Sequence, residues 1–113
     1  MSWDYIIVGA GSAGCALAWQ LARKAGEPKI LAIEAGGSDR SPYIKVPLGQ
    51  IRAITRYDWG YRSQPDPSRG GASDAWLRGK VLGGSSSING MLYVKGAATD
   101  FDRWAEICGH AGG

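Results

Sequence analysis

The chain opens on a short apolar run, Tyr5-Ile6-Ile7-Val8, whose β-branched content predicts a strand buried in a parallel sheet. Residues 15–25 follow, with Leu17, Ala18, Leu21, Ala22 and Ala25 at helical spacing, and predict a helix. Gly26 suits a C-cap and Pro28 blocks continuation. A second apolar run, Ile30-Leu31-Ala32-Ile33, predicts another buried strand that ends in Glu34. Strand, helix and strand in this order predict a right-handed βαβ unit. From 36 to 79 the periodic patterns fade, and Pro42, Pro47, Pro65 and Pro67 punctuate a polar, glycine-containing stretch. Within it a short helix is expected over 48–55, and the alternation of Tyr57, Trp59 and Tyr61 predicts a brief strand with one aromatic face. Loops this long are uncommon inside compact domains. The aromatics either pack against the sheet, which is the simpler reading, or cover a bound cofactor. Met91-Leu92-Tyr93-Val94 reads as one more strand, and Asn89-Gly90 before it has the local chemistry of a hairpin turn.

Composition narrows the class. A length of 113 residues suits one domain, and a hydrophobic fraction of 44% argues against wholesale disorder. The 18 glycines lack a Gly-X-Y period and, with five prolines, exclude collagen. No apolar run approaches the ~18 residues of a membrane span. No secretory signal is read, because Asp4 and a strand-like run begin almost at Met1. Cys15 and Cys108 form no C-x-x-C and no disulfide framework, so a reducing, cytoplasmic setting is expected. The net charge of +3 is mild and spread out, which does not point to nucleic acid.

The glycines are concentrated where chemistry is expected. Gly9-Ala10-Gly11-Ser12-Ala13-Gly14 matches G-x-G-x-x-G directly after the first strand. In a dinucleotide site Gly9 permits the tight turn, Gly11 admits a pyrophosphate, and Gly14 lets the helix pack against the strand. The helix start, with Ser12 and Ala13, offers N–H groups and a positive dipole end to phosphates. Glu34 lies 20 positions after Gly14, where a carboxylate can accept from ribose hydroxyls and repel a 2′-phosphate. NADP is therefore disfavoured, NAD and FAD stay unseparated, and a purely structural turn is the bland alternative. Cys15 and Trp19 read as packing residues, since Cys15 has no evident partner base.

A second block, Arg78-Gly79-Lys80-Val81-Leu82-Gly83-Gly84-Ser85-Ser86-Ser87-Ile88-Asn89-Gly90, presents a glycine pair and three serines. Such a loop can offer N–H groups and hydroxyls to phosphate or ring carbonyls. It contains no Gly-x-Ser-x-Gly elbow and no base, so hydrolase chemistry is not supported. From Gly79 onward it resembles the first signature of the glucose–methanol–choline (GMC) oxidoreductases, with closest likeness to their choline-dehydrogenase-like alcohol dehydrogenases. Asp4 to Gly14, Glu34-Ala35-Gly36-Gly37 and Asp100-Phe101-Asp102-Arg103-Trp104-Ala105 are similar to the same family, to about Glu106.

The resemblance implies FAD, bound extended, in place of NAD. Gly9, Gly11 and Gly14 would lie at the pyrophosphate, and Glu34 and Ala35 at the adenosine side. The segment Val81, Leu82, Gly83 and Gly84 would run along the flavin side, with Asn89, Gly90, Met91 and Leu92 near the isoalloxazine. Some members carry a flavin-bonding histidine at the position of Ile88, so the FAD expected here is non-covalent. Some choline oxidases have a serine where this chain has Gly90.

The resemblance further implies hydride transfer from a small-molecule alcohol to flavin, with a C-terminal histidine pair or His–Asn pair handling the hydroxyl proton. No residue of this chain is assigned a catalytic or metal-binding role. Its single histidine, His110, reads as a solvated tail residue. The expectation is an α/β fold: an incomplete Rossmann-like FAD-binding unit over 1–113, with an extended aromatic segment and no substrate domain. The alternatives are a truncated, non-catalytic remnant and an NAD-dependent reductase half-domain, which the second glycine block disfavours. Two parallel strands without neighbours predict marginal stability and aggregation of the chain alone.

Overall fold

A computed structural model describes residues 2–109. The expected strands form where the apolar runs lie, β1 over Tyr5–Val8 and β2 over Ile30–Ile33. They pair in parallel with Tyr5 opposite Ile30 and Val8 opposite Ile33, and helix α1 (Ser12–Ala22) makes the crossover. The helix starts three residues earlier than its apolar spacing predicts, because it opens directly on the glycine turn at Gly11. It also ends earlier. Arg23 is the C-cap, and Lys24 N–H reaches the Leu21 carbonyl at 3.1 Å in a tightened last turn. Gly26 lies beyond the cap, in the left-handed region with φ +95°.

The middle of the chain holds more regular structure than its pattern predicts. Helix α2 spans Pro42–Lys45, with Ser41 Oγ capping Tyr43 N–H. A 3₁₀ turn over Pro47–Gly49 leads into α3 (Gln50–Arg56), the counterpart of the helix expected at 48–55. The aromatic strand is shorter than expected: β3 is Tyr61–Arg62, paired antiparallel with β4, Ala75–Trp76. Trp59 and Tyr61 stack at 5.7 Å on one face. Tyr57 departs from that face and packs instead against the cluster of Ala53, Val81 and Ile88.

Two expectations at the far end fail. Met91-Leu92-Tyr93-Val94 forms no strand, and Asn89-Gly90 makes no hairpin. Asn89 Oδ1 instead accepts from Met91 N–H at 2.8 Å, a local turn that puts Met91 at φ +52°. An extended run becomes a strand only with a ladder partner. Among the described residues none is offered to 91–94, whose side chains are exposed. The last helix, α4 (Ala98–Cys108), closes on Gly109 in the left-handed conformation. It gathers Phe101, Trp104 and Ile107 on one uncovered face. Among the described residues no helix is long and apolar enough to cross a membrane.

The fold is an open α/β body. Its radius of gyration is 18.8 Å, against roughly 13 Å for a compact domain of this length. Its accessible surface is 9036 Å², where a folded monomer of this mass exposes about 6,000 Å². Buried apolar side chains are confined to Ile7, Ala10, Leu21, Ala53, Val81 and Ile88. Ile6 and Val8 are 60% and 83% exposed, although parallel sheets are normally covered on both faces. The architecture is that of an incomplete Rossmann-like unit.

This exposure predicts that the isolated chain unfolds over a broad range of temperature and binds a hydrophobic dye before heating. A circular-dichroism melt with parallel dye fluorescence checks it. A single sharp transition and no dye binding would contradict the prediction.

Candidate functional site

The glycine turn makes the close strand–helix packing that its sequence predicts. At Gly14 a Cβ would overlap the Gly9 carbonyl oxygen, so only glycine lets α1 sit this close to the end of β1. Cys15 N–H makes the first bond of α1, to the Gly11 carbonyl at 2.9 Å. Ser12, Ala13 and Gly14 N–H are left without a protein acceptor among the described residues, and no side chain caps them. The Cys15 thiol donates to the Ala10 carbonyl at 3.3 Å, but Cys15 and Trp19 are both exposed and not the packing residues expected, because no further layer covers this face of α1 among the described residues.

Glu34 is held at the end of β2 by the same turn. Its carboxylate accepts from Ala10 N–H at 2.8 Å and from Gly36 N–H at 2.9 Å. Bonds of this charged kind stabilise by about 1.5–3 kcal/mol when shielded from water. A carboxylate has about four lone-pair sites, so capacity remains for further donors from a ligand.

The second glycine block docks on the first. Gly83 N–H donates to the Ala10 carbonyl at 2.7 Å, and Leu82 N–H donates to Gly37 at 2.9 Å. Val81 pairs with Gly37 in an isolated parallel bridge beyond the end of β2. A Cβ on Gly36 would run into the Lys80–Val81 backbone, so side-chain-free contact is required there.

Two adjoining clefts open above this junction, of about 590 and 450 Å³. Both are lined by Gly9, Gly11, Trp59, Gly79 and Gly84. The first continues over Ser12, Ala13 and Gly14, and the second over Glu34 and Ala35. The residues expected at a pyrophosphate and at a ribose therefore share one groove. Val81 does not line it: the side chain is fully buried beneath, and Gly83 supports the groove through its bond to Ala10. Asn89 and Met91 line a separate 250 Å³ cavity with Gln50, which donates to the Asn89 carbonyl at 2.8 Å. Gly90 and Leu92 are exposed and line neither groove nor cavity. Across that cavity Lys45 donates to Asp39 and holds its carboxyl below the ordinary value of 3.8. His110 lies outside the described residues.

Groove residues outside the expected site set include Trp59, Arg78 and Ser85. For Trp59 the signal was its place in the aromatic alternation. Arg78 stood inside the second glycine block without a role, while Ser85 was one of three serines offered to phosphate.

A sequence profile of the GMC oxidoreductases matches residues 3–112. The chain belongs to the GMC oxidoreductase family. The match runs beyond Glu106, where sequence reading expected the likeness to fade. An oxygen-dependent choline dehydrogenase of Rhizobium etli is 50% identical over 109 residues, which is 95% of this chain and 20% of that protein. The crystal structure of pyridoxine 4-oxidase from Mesorbium loti superposes with a TM-score of 0.72 at 37% identity, over 93% of this chain and 21% of that one. A formate oxidase of Aspergillus oryzae, studied for its FAD modification, gives 0.71 at 34% identity over 92% and 19%. The GMC chain described here thus spans about a fifth of these relatives. The family and its structural neighbours are FAD-dependent flavoproteins.

The contact of the two GMC glycine blocks predicts a paired outcome. Gly36→Ala should destabilise by about 2 kcal/mol or more through backbone overlap. Gly37→Ala, whose Cβ meets open space, should cost only a few tenths of that. Thermolysin cleavage under native conditions reads the difference as a roughly 30-fold faster cut for Gly36→Ala. Equal rates for the two variants would contradict it.

Proposed function

We propose that this chain is the FAD-binding N-terminal segment of a flavin-dependent alcohol dehydrogenase of the choline-dehydrogenase type. One observation carries the reading: unpartnered N–H groups of Ser12, Ala13 and Gly14 open into the groove that Glu34 enters from its other end. Donors of this kind suit a diphosphate, and a carboxylate with spare acceptor capacity suits ribose hydroxyls. When bound, the flavin supplies a hydride acceptor for an alcohol carbon. Gly9, Gly11, Ser12, Ala13 and Gly14 hold the diphosphate in this reading, and Glu34 with Ala35 the adenosine side. Gly84 closes the groove over the turn, while Val81 and Gly83 support it from beneath. The hook of Asn89, Gly90, Met91 and Leu92 serves the flavin end, positioned by Gln50.

Binding is non-covalent in this reading. Ile88 carries no nucleophile and is only 5% exposed, packed with Ala53 and Val81. The substrate, a small alcohol, is met by other parts of the whole protein, since among the described residues no proton-handling group lines the groove apart from the hydrogen-bonded Glu34. The unpaired cysteines Cys15 and Cys108 support a cytoplasmic setting.

Titrating FAD with the chain should quench flavin fluorescence, and urea should return all flavin to an ultrafiltrate. NADH fluorescence should stay unchanged at the same concentrations. A chain that leaves FAD unquenched is the non-catalytic remnant instead, and flavin retained after urea would contradict non-covalent binding. Choline added to the flavin-loaded chain should leave the flavin oxidised, and bleaching of its absorbance would show a proton acceptor within these 113 residues.

A further inference from the structure

The groove is electrically polarised. Its one charged lining residue at the α1 end is Arg78, and its one charged lining residue at the β2 end is Glu34. Arg78 shares its cleft with Ser12, Ala13 and Gly14, the residues whose N–H groups lack acceptors. Helix dipole, free donors and a basic residue therefore border the same space, and the guanidinium, now resting near Trp76, needs only a side-chain rotation to reach it.

The Arg78 side chain has little structural employment. Its Nη1 donates to the neighbouring Leu77 carbonyl at 2.7 Å, and its guanidinium lies 5.4 Å from the Trp76 ring centre. Among the described residues it joins no ion pair. The bonds that tie this position into the hairpin are made by its backbone. Arg78 N–H donates to Asp58 at 2.7 Å, and the Arg78 carbonyl accepts from Trp59 N–H at 2.9 Å. Replacing the side chain leaves both in place. A guanidinium has five N–H donors, and one is used here.

We infer that Arg78 is a binding and orienting residue for the diphosphate of a dinucleotide. It supplies the counter-charge on the wall opposite the α1 N-terminus, while Glu34 keeps phosphate away from the other end. The polarity sets which way round the ligand lies. Trp59 stands at the junction of the two clefts, with Lys80 Nζ 4.6 Å from its ring centre, and divides the phosphate end from the ribose end. The inference rests on the FAD-binding reading above and adds a residue and a direction to it.

The test is FAD titration of the 113-residue chain, wild type and Arg78 variants, with ADP and adenosine as competitors. Arg78→Gln should weaken FAD about tenfold and reduce the advantage of ADP over adenosine by a similar factor. Arg78→Lys should recover most of both. In the wild type the ADP advantage should fall as salt is raised, because the contact is charge on charge. Arg78→Gln that binds FAD as the wild type does overturns the assignment and leaves the FAD reading standing. Equal losses for ADP and adenosine overturn it too, as the mark of a structural effect. A salt-independent ADP advantage in the wild type does the same without any variant. A wild-type chain that binds neither FAD nor ADP overturns both readings.

Discussion

Everything ordered around the groove passes through the peptide groups of Ala10. Its N–H is fixed by the Glu34 carboxylate from the end of β2, and its carbonyl accepts both Gly83 N–H and the Cys15 thiol. Three segments thus converge on one residue: the acid at the end of β2, the helix start and the second glycine block. Ala10 is 4% exposed, so each of these bonds is largely shielded from water and would be costly to leave unmade. The constraint also explains why Glu34 is an acid placed here. An uncharged residue could pair with Ala10, but an ionised carboxylate binds two N–H groups strongly and still accepts from a ligand.

Away from that junction the body is thinly held. The parallel sheet has two paired strands, and the side chains of Ile6 and Val8 meet solvent. Helix α4 presents Phe101, Trp104 and Ile107 with nothing among the described residues to cover them. A core this small gives little hydrophobic stabilisation for the order it must maintain. The local hydrogen-bond network at the turn is therefore the better-determined part of the molecule, and the groove belongs to it.

Both strands and the turn were legible because each is encoded locally: two β-branched runs, one motif, and an acid at the expected distance. The helix over Gln50–Arg56 was legible for the same reason. Met91 to Val94 was misread because β-branched and aromatic residues report a preference for pairing, not the presence of a partner. The end of α1 was misplaced because Gly26 and Pro28 mark a turn that follows the cap by a few residues. The grouping of Trp59 and Arg78 with the glycine turn was out of reach. It depends on the bridge between Asp58 and Gly79, across twenty-one residues whose spacing carries no periodic signal. The split of the expected site was equally hidden, since Asn89 and Gly84 are five positions apart and yet line different spaces.

The glycine surplus acquires a second meaning from these contacts. The motif reading gives glycine a role toward ligand: a tight turn and a bare backbone for phosphate. At Gly36, Gly79 and Gly84, however, the missing Cβ would meet other backbone, namely Lys80–Val81, Gly84–Ser85 and Gly11. Through Gly84 against Gly11 the two glycine-rich blocks meet main chain on main chain, and a dinucleotide would contact both because they are already in contact with each other. Loss of flavin on substituting such a glycine therefore reports first on loop docking. Side-chain groups whose removal leaves the docking intact, Arg78 above all, are the positions from which ligand contact can be read without that ambiguity.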